Sequence, residues 1–158
     1  MASIEEKILA ITDTNSPLIR NLPRPLVFTN GCFDILHRGH VSYLEEAAQL
    51  GKSLLVAVNT DDSVRRQNKG IDRPINTLDD RLALLASLQS VDLVIPFDSD
   101  TPLELIQKIK PDVLVKGGDW PIERIVGAEE VIKNGGEVHS IRFRYQRSTS
   151  DLINRIRS

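Results

Sequence analysis

Pro25-Leu26-Val27-Phe28-Thr29 is a short apolar run that continues directly into Asn30-Gly31-Cys32-Phe33-Asp34-Ile35-Leu36-His37-Arg38-Gly39-His40. The run is typical of a buried β-strand, and the glycine-containing turn after it leads into the start of a helix. A strand, a tight turn and a helix form the first unit of an α/β fold. The rest of the sequence repeats this alternation.

Five apolar or β-branched runs alternate with segments of helical period, which predicts a parallel sheet covered by helices on both faces. The predicted strands are residues 25–29, 53–58, 91–95, 112–115 and 137–141. The predicted helices are residues 41–50, 78–88, 102–108, 122–134 and 149–157. We therefore expect a Rossmann-like, doubly wound five-stranded sheet of order 3-2-1-4-5.

The chain of 158 residues has the usual size of one domain. Residues 1–24 are predicted to form a short amphipathic helix at 4–11 followed by a linker, and residues 25–158 to form the main domain. The connection over 59–77 is longer than most loops between elements of a compact domain. A functional loop and a tolerated insertion both remain open for it.

Composition excludes several classes of protein. The 20 basic and 22 acidic side chains give a net charge of −2, which argues against a general nucleic-acid or polybasic membrane surface. No run approaches the ~20 apolar residues of a membrane span, and no secretory signal is visible. Cys32 is the sole cysteine, which excludes an internal disulfide. We expect a cytoplasmic protein that binds neither nucleic acid nor membrane.

Two histidines stand three residues apart where the first main helix begins. His37 and His40 would lie on one face near the free N–H groups and the positive end of the helix dipole. Such a place suits a phosphate, and Gly31 and Gly39 would let phosphoryl oxygens approach the backbone. A helix cap or a partial metal site would also explain two histidines at this spacing.

Two further clusters follow later strands. Lys116-Gly117-Gly118-Asp119-Trp120 comes after the fourth strand, next to the first strand in the predicted order, where ligands bind in doubly wound folds. Arg147-Ser148-Thr149-Ser150 begins the last helix, and Ser148 has the spacing of an N-cap in a capping box. The segment 142–158 holds five arginines against one acid, a net charge of +4. It would suit an anion, or be a solvated helix face.

The string around His37 and His40 resembles the H-x-G-H signature of a nucleotidyltransferase superfamily that includes cytidylyltransferases, pantetheine-phosphate adenylyltransferase and class I aminoacyl-tRNA synthetases. The resemblance implies that both histidines stabilise the α-phosphate of a nucleotide. The Ser148-Thr149-Ser150 string resembles the S-T-T element of the same superfamily, with Ser150 in place of the second threonine. That replacement keeps the hydroxyl group.

Four blocks resemble the family of heptose 1-phosphate adenylyltransferases: FTNGCFDILH at 28–37, VNTDDSV at 58–64, KG at 69–70 with DRPIN at 72–76, and PDVLVKGGD at 111–119. The resemblance implies AMP transfer from ATP to heptose 1-phosphate, giving ADP-heptose for lipopolysaccharide core or related glycan synthesis. The chain length leaves no room for the sugar kinase often fused to this activity. We expect a free-standing transferase and a homo-oligomer, a dimer or larger.

The resemblance assigns roles to named residues. The catalytic group is predicted to be His37, His40 and Lys69. The nucleotide-binding group is predicted to be Asn30, Gly31, Cys32, Phe33, Gly39, Lys116, Gly117, Asp119, Arg147, Ser148 and Thr149. The substrate-binding group is predicted to be Asp34, Asn59, Asp61 and Arg73. Mg²⁺ is expected to be bound mainly through the ATP phosphates, with Asp34 or Asp61 as an indirect ligand and no direct protein ligand predicted.

Two alternatives stay open. Trp120 and Arg144 are similar to positions in glycerol-3-phosphate cytidylyltransferases, which would make CTP the nucleotide. A non-catalytic nucleotide-binding module would keep the fold without the reaction, because a fold alone never proves activity.

Overall fold

Five parallel strands form one sheet of order β3-β2-β1-β4-β5, as the sequence predicted. The structure is a computed structural model that describes residues 2–145 and 147–158; Met1 of the predicted N-terminal segment and Gln146 of the predicted main domain lie outside the described residues. The strands are β1 Leu26–Gly31, β2 Ser53–Asn59, β3 Leu93–Phe97, β4 Val113–Gly117 and β5 Glu137–Ile141.

Seven α-helices accompany the sheet in the described part of the chain. They are α1 Pro17–Arg20, α2 Arg38–Ala48, α3 Asp61–Arg65, α4 Leu78–Ala86, α5 Leu103–Ile109, α6 Ala128–Lys133 and α7 Thr149–Arg157. Two short 3-10 turns are Glu5–Lys7 and Ile122–Arg124.

The central strands are apolar over most of their length because both of their faces are covered. All seven residues of β2 are buried. In β1, Leu26 and Phe28 point into the core packed under α5 and α6, and Val27 points into the core under α2 and α4. Alternate side chains of one strand therefore serve two separate hydrophobic cores, which is the doubly wound arrangement.

The predicted helix over residues 4–11 is wrong. After a single 3-10 turn, Ile8 forms a β-bridge to Val94, and the Leu9 N–H donates to the Val94 carbonyl at 2.9 Å. Strand β3 is an edge strand, and an edge offers unpaired backbone groups to any extended segment nearby. That pairing outweighs the local helical pattern.

The predicted helix over residues 122–134 is also wrong, because it is divided. Gly127 adopts φ +87°, and a Cβ there would lie 2.6 Å from Ile106 Cδ1. The turn Ile122–Arg124 ends at Ile125, which is extended, and a left-handed glycine in close contact with α5 is the N-cap of α6. Conversely, α1 and α3 are helices within segments read as linker and loop, capped by the Ser16 and Thr60 hydroxyls.

Within residues 2–145 and 147–158, the helices are all too short or too polar to cross a membrane.

Candidate active site

The site is a cavity of about 390 Å³ beyond the carboxyl ends of β1 and β4, which are neighbours in the sheet. This is the switch point of the doubly wound topology, where ligands bind in such folds. Fourteen of the predicted site residues line it: Asn30, Gly31, Cys32, Phe33, Asp34, His37, His40, Lys69, Arg73, Lys116, Gly117, Arg147, Ser148 and Thr149.

The histidine pair is held by the first turn of α2. His37 is the N-cap residue, and its backbone N–H donates to His40 Nδ1 at 3.4 Å. The two imidazole rings stack with centroids 3.8 Å apart. Because His40 Nδ1 accepts this bond, the proton of the neutral ring lies on Nε2.

Among the described residues, His37 Nδ1 is a buried side-chain nitrogen without a hydrogen-bond partner. A buried polar atom without a partner is uncommon in a folded protein and requires an explanation. The His37 ring lines the cavity, but its Nδ1 lies below the surface, on the side of Gly39.

The surroundings of both histidines favour the neutral imidazole. Burial, with smaller contributions from His37 and Lys69, lowers the pKa of His40 to about 4. Burial and then the charge of Arg147 lower the pKa of His37. A positively charged, partly enclosed surrounding of this kind favours an anion as the ligand.

Glycines allow the close packing beneath these rings. A Cβ on Gly39 would lie 2.9 Å from His37 Nδ1, and a Cβ on Gly31 would lie 2.9 Å from the Phe33 ring. The Phe33 ring meets His40 edge-on with centroids 5.3 Å apart. The absence of a side chain at Gly31 and Gly39 therefore allows the Phe33 and His37 rings to pack directly against the backbone. The sequence predicted that phosphoryl oxygens would approach the backbone at Gly39. In the structure the His37 ring occupies that side of Gly39 instead.

Helix α7 brings its N-terminus to the same cavity. Ser148 Oγ accepts from the Asp151 N–H at 3.0 Å, which confirms the predicted cap. Thr149 Oγ1 donates to the Ile35 carbonyl at 3.0 Å and so ties α7 to the β1–α2 turn. The histidine pair and the start of a nine-residue helix thus face one space. Backbone N–H groups at such a position bind anions.

Asp34 and Arg73 clamp the long connection onto the site. Arg73 Nε donates to Asp34 Oδ2 at 2.6 Å, and the N–H groups of Ile75 and Asn76 donate to the same carboxylate at 2.9 Å. Burial raises the pKa of Asp34, but these hydrogen bonds and the guanidinium outweigh it and hold the pKa below its usual value. Arg73 also reaches Ser150 Oγ at 3.5 Å.

Two lysines add to the positive charge that Arg73 and Arg147 give the cavity wall. Lys69 Nζ lies 3.4 Å from Cys32 Sγ, and Lys116 Nζ lies 5.8 Å from the centroid of the Trp120 ring. Burial and then the charge of Lys69 lower the pKa of Lys116. Trp120 is 49% exposed, so it is not core packing.

Four predicted site residues lie outside this cavity: Gly39, Asn59, Asp61 and Asp119. Asn59 donates to Ser63 Oγ at 3.0 Å and lines a second cavity. Asp61 forms an ion pair with Arg81 at 2.7 Å, and exposed Asp119 forms one with Arg142 at 3.2 Å. These two carboxylates already have partners within the protein.

Arg81 is a fully buried residue beside the site that sequence reasoning missed. Its fully buried guanidinium donates to the Cys32 carbonyl at 2.8 Å, to the Asn59 carbonyl at 2.7 Å and to the Asn76 carbonyl at 3.1 Å, besides Asp61. It therefore joins the ends of β1 and β2 to the long connection. The sequence could have indicated that Arg81 is buried, because residues 78, 81, 82 and 85 lie on one face of α4 and the other three are leucines.

The remaining differences concern the neighbours of the site. Tyr43 and Phe143 also line the cavity, and neither was predicted. Arg144, which had suggested a cytidylyltransferase, forms an ion pair with Glu46 at 3.1 Å and is absent from the cavity wall.

The residues present do not form a protein-held magnesium site. Across residues 2–145 and 147–158, His, Cys, Asp and Glu side chains form no group of three or more that would hold a metal ion. The one carboxylate lining the cavity, Asp34, accepts an Arg73 donor and two backbone N–H groups. A strongly bound divalent ion needs free oxygen ligands, which Asp34 does not offer.

A strand–turn–helix unit with paired histidines, placed opposite a second helix N-terminus at the switch point, defines a nucleotidyltransferase type of α/β protein. The family model described as cytidylyltransferase-like matches residues 28–155. The chain belongs to this family.

Two relatives are similar along most of this chain. The D-beta-D-heptose 1-phosphate adenylyltransferase of Bordetella bronchiseptica is 53% identical over 157 residues, which is 99% of this chain and 97% of that protein. The bifunctional protein HldE of Haemophilus ducreyi is 57% identical over 139 residues, 88% of this chain. This chain spans 29% of the length of that HldE.

Solved structures are similar in fold. The lipopolysaccharide core biosynthesis protein from Thermoplasma volcanium GSS1 has a TM-score of 0.60 and 34% identity, covering 77% of this chain and 98% of that one. A pantoate-beta-alanine ligase from Francisella tularensis has a TM-score of 0.60 at 19% identity, covering 90% of this chain and 68% of that one. The second likeness concerns the fold alone.

Proposed function

We propose that this protein transfers AMP from ATP to heptose 1-phosphate, forming ADP-heptose and pyrophosphate for lipopolysaccharide core or related heptose glycan synthesis. The observation that carries the proposal is the shared cavity of the His37–His40 pair and the N-terminus of α7. The likeness to the Bordetella bronchiseptica adenylyltransferase supports heptose 1-phosphate as the acceptor.

The reaction needs charge stabilisation more than proton transfer. An oxygen of the acceptor phosphate attacks the α-phosphorus of ATP, one P–O bond forms, and the bond to the β-phosphate breaks. A phosphate monoester is already ionised at neutral pH, so the nucleophile needs no general base. Catalysis then consists of alignment and of donors aimed at the oxygens that gain charge.

Each part of the cavity has a role in this scheme. His37 and His40 contact the α-phosphate, and the backbone N–H groups of residues 31–33 cradle it. The α7 start, with Arg147, Ser148 and Thr149, holds the β- and γ-phosphates that leave as pyrophosphate. The position of both histidines in the cavity wall supports contact of their rings with a phosphoryl oxygen.

Mg²⁺ belongs to the proposal as part of the incoming nucleotide, where it neutralises phosphate charge. The full occupation of the Asp34 carboxylate supports binding through ATP rather than through the protein. A cytoplasmic location, where ATP is supplied, and a homo-oligomeric state complete the proposal.

A pyrophosphate-release screen tests the function. ATP and CTP are each combined with heptose 1-phosphate and with glycerol 3-phosphate. We expect turnover with ATP and heptose 1-phosphate alone among the four pairs. Activity with CTP and glycerol 3-phosphate would make the protein a cytidylyltransferase instead, and silence in all four pairs would favour a non-catalytic module.

A further inference from the structure

The long connection, residues 59–77, contacts α7 near both ends of that helix. Arg73 Nη1 donates to Ser150 Oγ at 3.5 Å near the start of α7, and Asp72 forms an ion pair with Arg157 at its end. Both side chains of this ion pair are about half exposed, and ion pairs in such places contribute little to stability. The Arg73 side chain is only 7% exposed and lines the cavity of the site. Arg73 is therefore the link that is shielded from solvent.

Apolar packing holds α7 only weakly. Of its nine residues, all of which the structure describes, Ile153 is the one that is buried, and Ile156 is 77% exposed. Helix α5 has seven residues and buries three apolar side chains, Leu105, Ile106 and Ile109. Because helices are held to a core mainly by burial of apolar surface, the position of α7 depends more on its polar contacts.

The Nε side of the Arg73 guanidinium is held firmly. Nε donates to Asp34 Oδ2 at 2.6 Å, and Asp34 lies in the turn that leads from β1 to the histidine pair. Asp34 is itself fixed, since its backbone carbonyl accepts from Asn76 Nδ2 at 2.9 Å. The contact of Arg73 with Ser150 is by comparison at the outer limit of a hydrogen bond, and it can shorten when a ligand moves α7. Arg73 thus has a fixed side toward the turn and a loose side toward α7.

Lys69 is connected to Arg73 through a tight turn. The Arg73 N–H donates to the Gly70 carbonyl at 3.2 Å, and Gly70 adopts φ +131°. A Cβ on Gly70 would lie 3.6 Å from Arg73 Cγ, so the turn packs against the arginine. Ile71 at its tip is fully exposed and gives the turn no apolar anchor. The position of Lys69 in the cavity wall therefore depends on where Arg73 holds this turn.

We propose that Arg73 is a positioning residue that couples α7 to Lys69. This inference rests on the proposed function for the triphosphate, whose β- and γ-phosphates bind at the start of α7. Their binding moves Ser150 closer to Arg73, and the turn over 70–73 then fixes Lys69 beside the phosphates. The inference adds a positioning role to the substrate contact that the resemblance implies for Arg73. A cation that is fixed once the triphosphate is bound stabilises charge where the reaction develops it.

Hydrogen exchange tests the coupling without turnover. Each protein is saturated with α,β-methylene-ATP, and backbone exchange is followed in peptides that cover 69–76 and 149–157. We expect the analogue to slow exchange in both segments of wild type, by about fivefold in 69–76, as for one added hydrogen bond. In Ser150→Ala, which removes the contacting hydroxyl, the slowing should persist in 149–157 and fall below about twofold in 69–76.

Three further variants complete the test. Ser150→Thr keeps the hydroxyl and should behave as wild type. Ser158→Ala removes a hydroxyl at the C-terminal end of α7 that bonds locally, to the Arg155 carbonyl at 2.8 Å, and should also behave as wild type. Arg73→Lys keeps a charge beside Asp34, but its single nitrogen cannot take the places of both Nε and Nη1. It should therefore lose the slowing in 69–76 as Ser150→Ala does.

A double-mutant cycle in kcat, measured by pyrophosphate release, provides the second readout. Ser150→Ala should lower kcat about fivefold when Lys69 is present and less than about twofold in a Lys69→Gln background, because the lysine to be positioned is then missing. Arg73→Lys should follow the same pattern. A hydroxyl that only contacted phosphate directly would lower kcat by the same factor in both backgrounds.

The outcomes separate this inference from the proposed function. Coupled slowing of exchange in a wild type that releases no pyrophosphate from ATP and heptose 1-phosphate would contradict the proposed function and keep the coupling. An active wild type whose segment 69–76 is unaffected by the analogue would overturn the coupling. Slowing that persists in Ser150→Ala and Arg73→Lys, or equal effects of Ser150→Ala in the two Lys69 backgrounds, would also overturn it.

Discussion

The imidazole rings of His37 and His40 stack with their centroids 3.8 Å apart, and the His37 N–H donates to the His40 ring. Stacked rings this close resist double protonation, because each charge raises the cost of the other. Burial also lowers the pKa of both rings, which favours their neutral forms. Under the proposed function, we expect an arriving triphosphate to favour protonation of the pair.

Removal of either imidazole should reduce turnover strongly. We expect His37→Ala and His40→Ala each to lower kcat by on the order of 10²-fold, which is the usual cost of losing one donor to a developing oxyanion. Pyrophosphate release measures the effect, and circular dichroism checks the fold. Near-normal turnover in both variants would remove the histidines from the mechanism.

Burial of His40 should make the protein less stable in acid. Its pKa is about 4 when folded against 6.5 ordinarily, so the unfolded chain binds more protons between these values. The free energy of unfolding is therefore highest above about pH 6.5, falls between pH 6.5 and about 4, and is lower by on the order of 3 kcal/mol below that.

Urea unfolding at pH 7 and at pH 4.5 measures this loss. The His40→Asn variant keeps an acceptor for the His37 N–H but does not titrate in this range. It should therefore lose less stability between the two pH values than wild type does. An equal loss in the two proteins would assign the acid sensitivity to other groups.

Arg81 should be among the most important side chains for stability. Arg81→Met would leave three backbone carbonyls without a donor and Asp61 without its ion-pair partner. We expect the free energy of unfolding to fall by about 3–5 kcal/mol, as when one partner of a buried pair is removed.

The control for Arg81 is Arg65→Met, because Arg65 pairs with Asp62 at 2.7 Å on the exposed surface. We expect that substitution to cost less than about 1 kcal/mol. Similar losses of stability in the two variants would contradict the role of Arg81 as the link between the ends of β1 and β2.

The Gly39→Ala variant tests whether turnover depends on the position of the His37 ring. A Cβ at Gly39 would lie 2.9 Å from that ring, so Gly39→Ala must displace it. We expect kcat to fall about 10- to 100-fold, the cost of misplacing a catalytic group by about 1 Å. Gly135→Ala is the matched control, because a Cβ at Gly135 has no atom within 4 Å and φ there is +84°.

The control variant should lose some stability through its strained backbone and keep its turnover. Equal kcat in Gly39→Ala and wild type would mean that the ring position is not critical. A loss of kcat in Gly135→Ala as large as in Gly39→Ala would mean that reduced stability, rather than ring position, explains the effect.

Local sequence was sufficient for the sheet and for most of the cavity. The buried strands read as apolar runs because both faces of β1 and β2 are covered, and the alternation with helices implied the parallel order. The histidine pair, the β1–α2 turn and the Ser148 cap are each contained in a few consecutive residues. Their geometry depends on neighbours along the chain, which the sequence displays directly.

Contacts between distant residues decided the rest. Ile8 pairs with Val94 instead of continuing a helix, and Gly127 breaks a helical pattern where it meets Ile106. Asp61 and Asp119 look like free site carboxylates until Arg81 and Arg142 are brought beside them. The role of a charged side chain depends on the partner that folding brings beside it. A pair separated by 20 or more residues cannot be recognised from the local sequence around either residue.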